Sequence, residues 1–188
     1  HLYHNNGDGT FTDVLEQAMP YTSWSSMGAD CADLNNDGLL DLFVADMAAT
    51  SHYKSKVTMG DMGDRRWFLE NAWPRQIMRN NLFLNTGTSR FMETAFLCGL
   101  AGTDWTWAIK LADLDNDSRV DVFITNGASR MITDADITIT PQMLVGKTEW
   151  ELWKEQPTMK EVNLAYRNKG DLQFEQTAKP WGLDHEGM

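Results

Sequence analysis

Acidic side chains recur at fixed spacing in two nine-residue stretches, Asp33-Leu34-Asn35-Asn36-Asp37-Gly38-Leu39-Leu40-Asp41 and Asp113-Leu114-Asp115-Asn116-Asp117-Ser118-Arg119-Val120-Asp121. Oxygen-bearing side chains stand at positions 1, 3, 5 and 9 of each. That spacing lets a short loop fold its carboxylates and one backbone carbonyl around a hard cation. Ca²⁺ accepts six to eight oxygens in a loose shell, whereas Zn²⁺ prefers His and Cys, which neither loop contains. Mg²⁺ keeps several waters and suits an all-protein cage poorly. Without a cation, each like-charged pair at about 4 Å costs roughly 4 kcal/mol at an effective dielectric of about 20. Two Ca²⁺ sites, with metal binding coupled to loop folding, are the expectation.

An EF-hand starts the same way but needs a bidentate Glu at position 12 and flanking helices. Position 12 is Val44 in the first loop and Ile124 in the second. The residues that follow, Leu42-Phe43-Val44 and Val122-Phe123-Ile124, are β-branched and aromatic, so each loop is read as joining two strands. Asx-rich turns without metal are the alternative, since Asp, Asn and Gly favour turns in any case. The second loop carries Ser118 where the first has Gly38, a strained choice if the backbone there needs positive φ. Its extra carboxylate, Asp115, offers compensation.

The elements that position these loops repeat along the chain. Leu2-Tyr3-His4-Asn5-Asn6-Gly7 through Phe11 returns as Leu82-Phe83-Leu84-Asn85-Thr86-Gly87 through Phe91, and again as Ala165-Tyr166-Arg167-Asn168-Lys169-Gly170 through Phe174. Each copy reads as a β-hairpin. The first two hairpins are 80 residues apart, as are the two Asp loops. The unit is thus hairpin, connector, strand, Asp loop, strand, and an insertion leading to the next hairpin. Four strands per unit predict propeller blades in an all-β chain with a short helix in one insertion. The expected division is a trailing half-blade and connector at 1–25, a blade at 26–105 with insertion 47–80, and a blade at 106–188 with insertion 127–162. About two and a half blades do not close a propeller. The rest is expected from a longer chain or from other copies, with a third metal loop due near residue 196.

At 188 residues, 42% hydrophobic and 11% aromatic, the chain is long enough to bury a sizeable core. A net charge of −11 argues against nucleic acid or anionic membrane as partner. Seven of the acidic residues lie in the two loops, so bound Ca²⁺ would offset part of that charge. No apolar run reaches the length of a membrane span, and membrane insertion is not expected. Cys31 and Cys98 have neither CxxC spacing nor equivalent places in the repeat, and they leave the redox compartment open.

These hairpins and Asp loops resemble FG-GAP/VCBS repeats, the integrin-α-type calcium-binding propeller blades. The spacer with Ala48–Lys56 and Gln76–Asn81, together with Thr103-Asp104-Trp105-Thr106-Trp107, resembles bacterial secreted proteins whose propeller precedes an ASPIC/UnbV domain, the group related to cartilage acidic protein. The resemblance places metal ligands at Asp33, Asn35, Asp37, Asp41 and the Leu39 carbonyl. In the second loop it places them at Asp113, Asp115, Asp117, Asp121 and the Arg119 carbonyl. It also implies a secreted, periplasmic or cell-surface location. Both insertions and the connectors bearing Trp24 and Trp105 would share the face away from calcium. That face, with Trp24, His52, Tyr53, Arg65, Arg66 and Trp105, is the expected surface for a protein or glycan ligand.

Insertion 47–80 is basic, with Lys54, Lys56, Arg65, Arg66, Arg75 and Arg79 against Asp61, Asp64 and Glu70, and could meet an acidic partner or balance neighbouring Asp residues. In the second insertion, Thr140-Pro141 predicts a helix start ahead of Gln142–Glu155, with Trp150 and Trp153 on one face against a sheet. Trp105 and Trp107 alternate along a strand and are expected to point the same way, with Trp107 in packing. His1, His4, His52 and His185 lack metal spacing, and no nucleophile elbow, Walker loop or dinucleotide fingerprint occurs. The expected function is non-catalytic: a Ca²⁺-stabilised propeller segment for adhesion or for protein or glycan binding. The alternative is an enzyme with its site on the insertion face, recognisable by convergent acid and base groups between the insertions.

Overall fold

The computed structural model describes residues 1–58, 66–131, 134 and 140–187. The chain is built mostly of β-strands, with few and short helices. A hairpin of β1 (Tyr3–Asn5) and β2 (Phe11–Asp13) leads through the one-turn helix α1 (Leu15–Ala18) to β3 (Tyr21–Ser23), and then to β4 (Gly28–Ala32), the first Asp loop and β5 (Asp41–Ala45). The first insertion holds β6 (Met47–Ala48), α2 (His52–Thr58), α3 (Arg66–Asn71) and β7 (Arg75–Ile77), and the hairpin β8 (Asn81–Asn85)–β9 (Phe91–Glu93) follows. The second unit runs through β10 (Asp104–Ala112), the second Asp loop and β11 (Asp121–Asn126). It continues past α4 (Glu149–Trp153) and β12 (Glu161–Val162) to the hairpin β13 (Leu164–Asn168)–β14 (Phe174–Gln176), with β15 (Glu186–Gly187) beyond.

Two antiparallel meanders result. β4-β5-β8-β9 form the first sheet, while β10-β11-β13-β14 form the second, with β6 added along the outer edge of β10. β3 and β7 pair in parallel, and β12 pairs with β15. The three hairpins share one register, Asn5 opposite Phe11, Asn85 opposite Phe91 and Asn168 opposite Phe174. In each, the Asn Oδ1 accepts the N–H of the glycine two residues on. The Asn-x-Gly of the sequence is therefore the turn-closing device of all three.

Strand alternation decides which unit meets which. In β5, Phe43 and Ala45 face the second sheet, where they meet Ile109, Leu111, Val122, Ile124 and Leu164 in the main core. Leu42 and Val44 point the other way, onto a second cluster with Phe83, Ala18, Met19 and Leu2. The first sheet is thus covered on both faces, by the first hairpin and α1 on one side and the second sheet on the other. Fully burying one side chain such as Phe43 stabilises by about 1.5–3 kcal/mol. Gly28 lets β4 approach β10 closely: a Cβ there would sit 3.0 Å from the Trp107 carbonyl oxygen and 3.1 Å from Ala108 Cα. Asp30 then ties the sheets together, its Oδ2 accepting from Leu111 N at 2.9 Å and Lys110 Nζ at 2.8 Å. These backbone and ammonium donors hold the Asp30 carboxyl below its ordinary value.

Four local expectations give way. Between Thr106 and Ala108 the β10–β11 register shifts, and this bulge breaks the alternation assumed for the two tryptophans. Trp105 is 7% exposed, whereas Trp107 is 45% exposed with its indole N–H donating to the Gly127 carbonyl. The single helix expected over Gln142–Glu155 is two pieces, a 3₁₀ turn at Pro141–Leu144 and α4. Gly146, at φ +70°, breaks the helical path between them. Pro141 does start the first piece, but Thr140 makes no side-chain cap. Thr148 is the residue that caps, in a capping box with Glu151. On so short a helix Trp150 stays 61% exposed instead of packing under a sheet. Arg65 lies outside the described residues, as does the side chain of Arg66.

Candidate metal centre

Both Asp loops close by the same hydrogen bonds. Asp33 Oδ1 accepts from Asp37 N at 3.0 Å and its Oδ2 from Gly38 N at 2.8 Å; Asp113 does the same with Asp117 N at 3.0 Å and Ser118 N at 2.8 Å. Asp37 and Asp117 each accept from the N–H two residues on, Leu39 and Arg119. Position 4 is left-handed in both, Asn36 at φ 60° and Asn116 at φ 59°, and so is position 6, Gly38 at 85° and Ser118 at 67°. Ser118 thus holds the conformation that glycine adopts without steric cost.

Position 9 lies beneath the loop. Asp41 and Asp121 are fully buried. One oxygen of each takes an N–H from the loop itself, Leu34 N and Leu114 N at 2.9 Å. The other takes an N–H from the hairpin asparagine, Asn85 N at 2.8 Å and Asn168 N at 2.9 Å. These Asp residues therefore lock loop, strand and hairpin together. Burial pushes both carboxyls above their ordinary value; the backbone donors oppose this, and the charges of Asp37 and Asp33, or of Asp115 and Asp117, add to it.

The two loops touch. Asn36 Nδ2 donates to the Ser118 carbonyl at 3.2 Å. Asn168, buried between them, donates from Nδ2 to Leu34 O at 2.9 Å and Val120 O at 3.0 Å. The donor set in both is oxygen only, as a hard cation requires. In the first loop Asn35 bridges Asp37, with Oδ1 accepting from Asp37 N and Nδ2 donating to Asp37 Oδ2 at 2.9 Å. In the second, Asp113, Asp115 and Asp117 bring carboxylate oxygens within 4.8 Å of one another.

A residue that the sequence reading missed stands over the second loop. Arg167 Nε lies 2.7 Å from Asp115 Oδ2, and Nη2 lies 3.3 Å from Asp117 Oδ2, where Arg119 Nη1 also arrives at 3.1 Å. Burial tends to raise the Asp117 carboxyl, but the Arg119 N–H and the charges of Arg119 and Arg167 outweigh it and hold the group below its ordinary value. The signal was available: the hairpin repeat puts Arg167 where the other copies have His4 and Leu84.

The insertions meet at the opposite end of the sheets. Lys54 Nζ reaches Asp104 Oδ2 at 2.7 Å and Glu161 Oε1 at 3.0 Å, so the two insertions are joined by one ammonium. They border a cleft of about 480 Å³ lined by Tyr53, Val57, Met131, Met159 and Val162 along with the three charged groups. Of the residues expected to form a binding face, Tyr53 is 75% exposed and His52 is exposed, while Trp24 is half-buried. Trp105 does not belong there: its side chain packs with Ala128, Met159, Met47 and Met131. Arg79 is equally committed, paired with Glu93 at 2.8 Å and held between the rings of Tyr21 and Phe96. Two of the insertion's basic groups are therefore neutralised within the chain. Cys31 and Cys98 are free thiols.

Residues 1–44 match the family model described as an FG-GAP-like repeat, a span that runs from the first hairpin through the first Asp loop into β5. A comparison with curated proteins finds no match. Among the described residues, no helix is long and apolar enough to cross a membrane.

Proposed function

We propose that this chain is a Ca²⁺-stabilised, non-catalytic segment of an FG-GAP-type β-propeller, in a secreted, periplasmic or cell-surface bacterial protein of the ASPIC/UnbV-related group. Its role is adhesion or the binding of a protein or glycan. The observation that supports the reading is the first loop, which lies within the FG-GAP-like match and contains Asp33, Asn35, Asp37, Asp41 and the Leu39 carbonyl, all oxygen donors, in a backbone that its own amides close. Calcium there would draw the Asp33 and Asp37 carboxylates onto one ion and stiffen the β4–β5 connection. Binding to the native state alone stabilises by mass action, about 2.7 kcal/mol at a hundredfold excess over the dissociation constant. The melting temperature should therefore fall after chelation and return with Ca²⁺ but not with equal Mg²⁺. A melt unmoved by verified metal removal removes calcium from the account.

The enzyme alternative has one observation in its favour, the cleft with Lys54, Asp104 and Glu161. Their chemistry favours a structural staple. Asp104 also accepts from Thr50 N at 2.9 Å and Thr50 Oγ1 at 2.8 Å, while Glu161 Oε2 accepts from Trp105 N at 2.8 Å. Burial works to lower the Lys54 ammonium, but the hydrogen bonds and charges of Asp104 and Glu161 outweigh it and hold the group above its ordinary value. A lysine nucleophile needs the opposite shift.

A further inference from the structure

We infer that the second Asp loop is neutralised from within, the Arg167 guanidinium taking the place of a cation, so that the chain binds one tight Ca²⁺, at Asp33–Asp41, and not two. The inference rests on the calcium reading of the first loop.

The oxygens that a divalent ion would need in the second loop are the ones Arg167 already bridges. Its Nε is 2.7 Å from Asp115 and its Nη2 is 3.3 Å from Asp117, the two inner carboxylates of the cluster. A planar guanidinium fork suits two carboxylates held side by side, and its charge cannot be shed by deprotonation. An ion on the same oxygens would face that fixed positive charge across a few ångströms, with Arg119 adding a second from the 3.1 Å contact to Asp117. The first loop has no counterpart: Leu84 and Leu39 occupy the positions of Arg167 and Arg119.

The acid content follows the same logic. The second loop carries one carboxylate more, Asp115 in place of Asn35, and is met by two cations that the first lacks, its own Arg119 and Arg167 from β13. Asp115 is thus the partner of Arg167 and not an added metal ligand. The guanidinium also reaches across from the hairpin strand β13 to the loop, as a ligand bound to both would.

The test is calcium titration by calorimetry on the whole 188-residue chain, stripped of metal by chelator, for the wild type, Arg167→Leu and Arg167→Gln. Chemical denaturation confirms that each variant is folded. Wild type should take up one tight ion. Both variants should acquire a second, with affinity raised by about tenfold or more as the opposing charge is removed. In wild type, Asp33→Asn should abolish tight uptake, whereas Asp115→Asn should leave it unchanged. Two ions of similar affinity in wild type, or one in both Arg167 variants, overturns the inference and leaves the first-loop reading standing. No uptake in wild type overturns both.

Discussion

Asp33–Asp41 and Asp113–Asp121 take the same backbone path, with the same two left-handed positions and the same amides on the first and last Asp. They differ in what surrounds the carboxylates: a neutral Asn and leucines in the first, an extra Asp and two arginines in the second. The same loop in two different charge environments shows that the loop shape is set by backbone amides converging on Asp side chains. On the reading proposed here, the neutralising cation is a separate choice, made by residues outside the loop's own hydrogen bonds. A sequence motif for the loop therefore reports its shape more reliably than its occupant.

The largest effect should come from the buried aspartate at position 9 of each loop. Asp41→Ala would leave Leu34 N and Asn85 N without their acceptor, and Asp121→Ala would do the same to Leu114 N and Asn168 N. Each buried unpaired N–H costs about 1–3 kcal/mol, so each variant should lose roughly 2–5 kcal/mol in urea denaturation. The losses should be similar at the two sites and should persist in chelator. An Asp41→Ala cost that vanishes in chelator would mean that metal, not amides, shapes the first loop.

The hairpin asparagines sharpen the comparison one step further. Asn85 serves its own loop, donating from Nδ2 to Leu40 O at 3.3 Å near the surface, while buried Asn168 donates to both loops. Asn85→Ala should cost about 1 kcal/mol and Asn168→Ala about 2–4 kcal/mol, since the second leaves the buried Leu34 carbonyl and the partly buried Val120 carbonyl unpaired. Equal costs would break the claim that Asn168 fastens one unit to the next.

How much of this was legible in the sequence follows from the range of the interactions. The Asp loops, the strands after them and the three hairpins are local patterns, and spacing alone exposes them. The left-handed demand on Ser118 was also readable, because Gly38 stands at the equivalent position. What escaped depends on neighbours distant in sequence. Trp107 turned outward because of a bulge that no residue pattern announces. Arg167 acts on Asp115 across about fifty residues, through a hairpin that folds back over the loop. The split of the 142–155 helix was in principle visible in Gly146, but Thr140-Pro141 and the spacing of Trp150 and Trp153 outweighed it. On the insertion face, the sequence allowed the basic groups to balance neighbouring Asp residues, but only the fold names Asp104 and Glu161 as the partners of Lys54.

The smallest and most local difference between the loops is position 6. Ser118 sits at φ 67°, where a Cβ crowds the backbone and glycine does not suffer. Ser118→Gly should stabilise the chain by about 0.5–1 kcal/mol, because the relief of strain exceeds the extra chain entropy that glycine loses on folding. The reverse change, Gly38→Ser, should destabilise by a similar amount, with open space around the new Cβ and only the backbone to resist it. If the cation in the second loop is Arg167, Ser118→Gly changes stability without changing calcium uptake, since it alters neither the carboxylates nor the guanidinium. A Ser118→Gly variant that gains a calcium ion would instead trace the difference between the loops to backbone strain, and the arginine to a bystander.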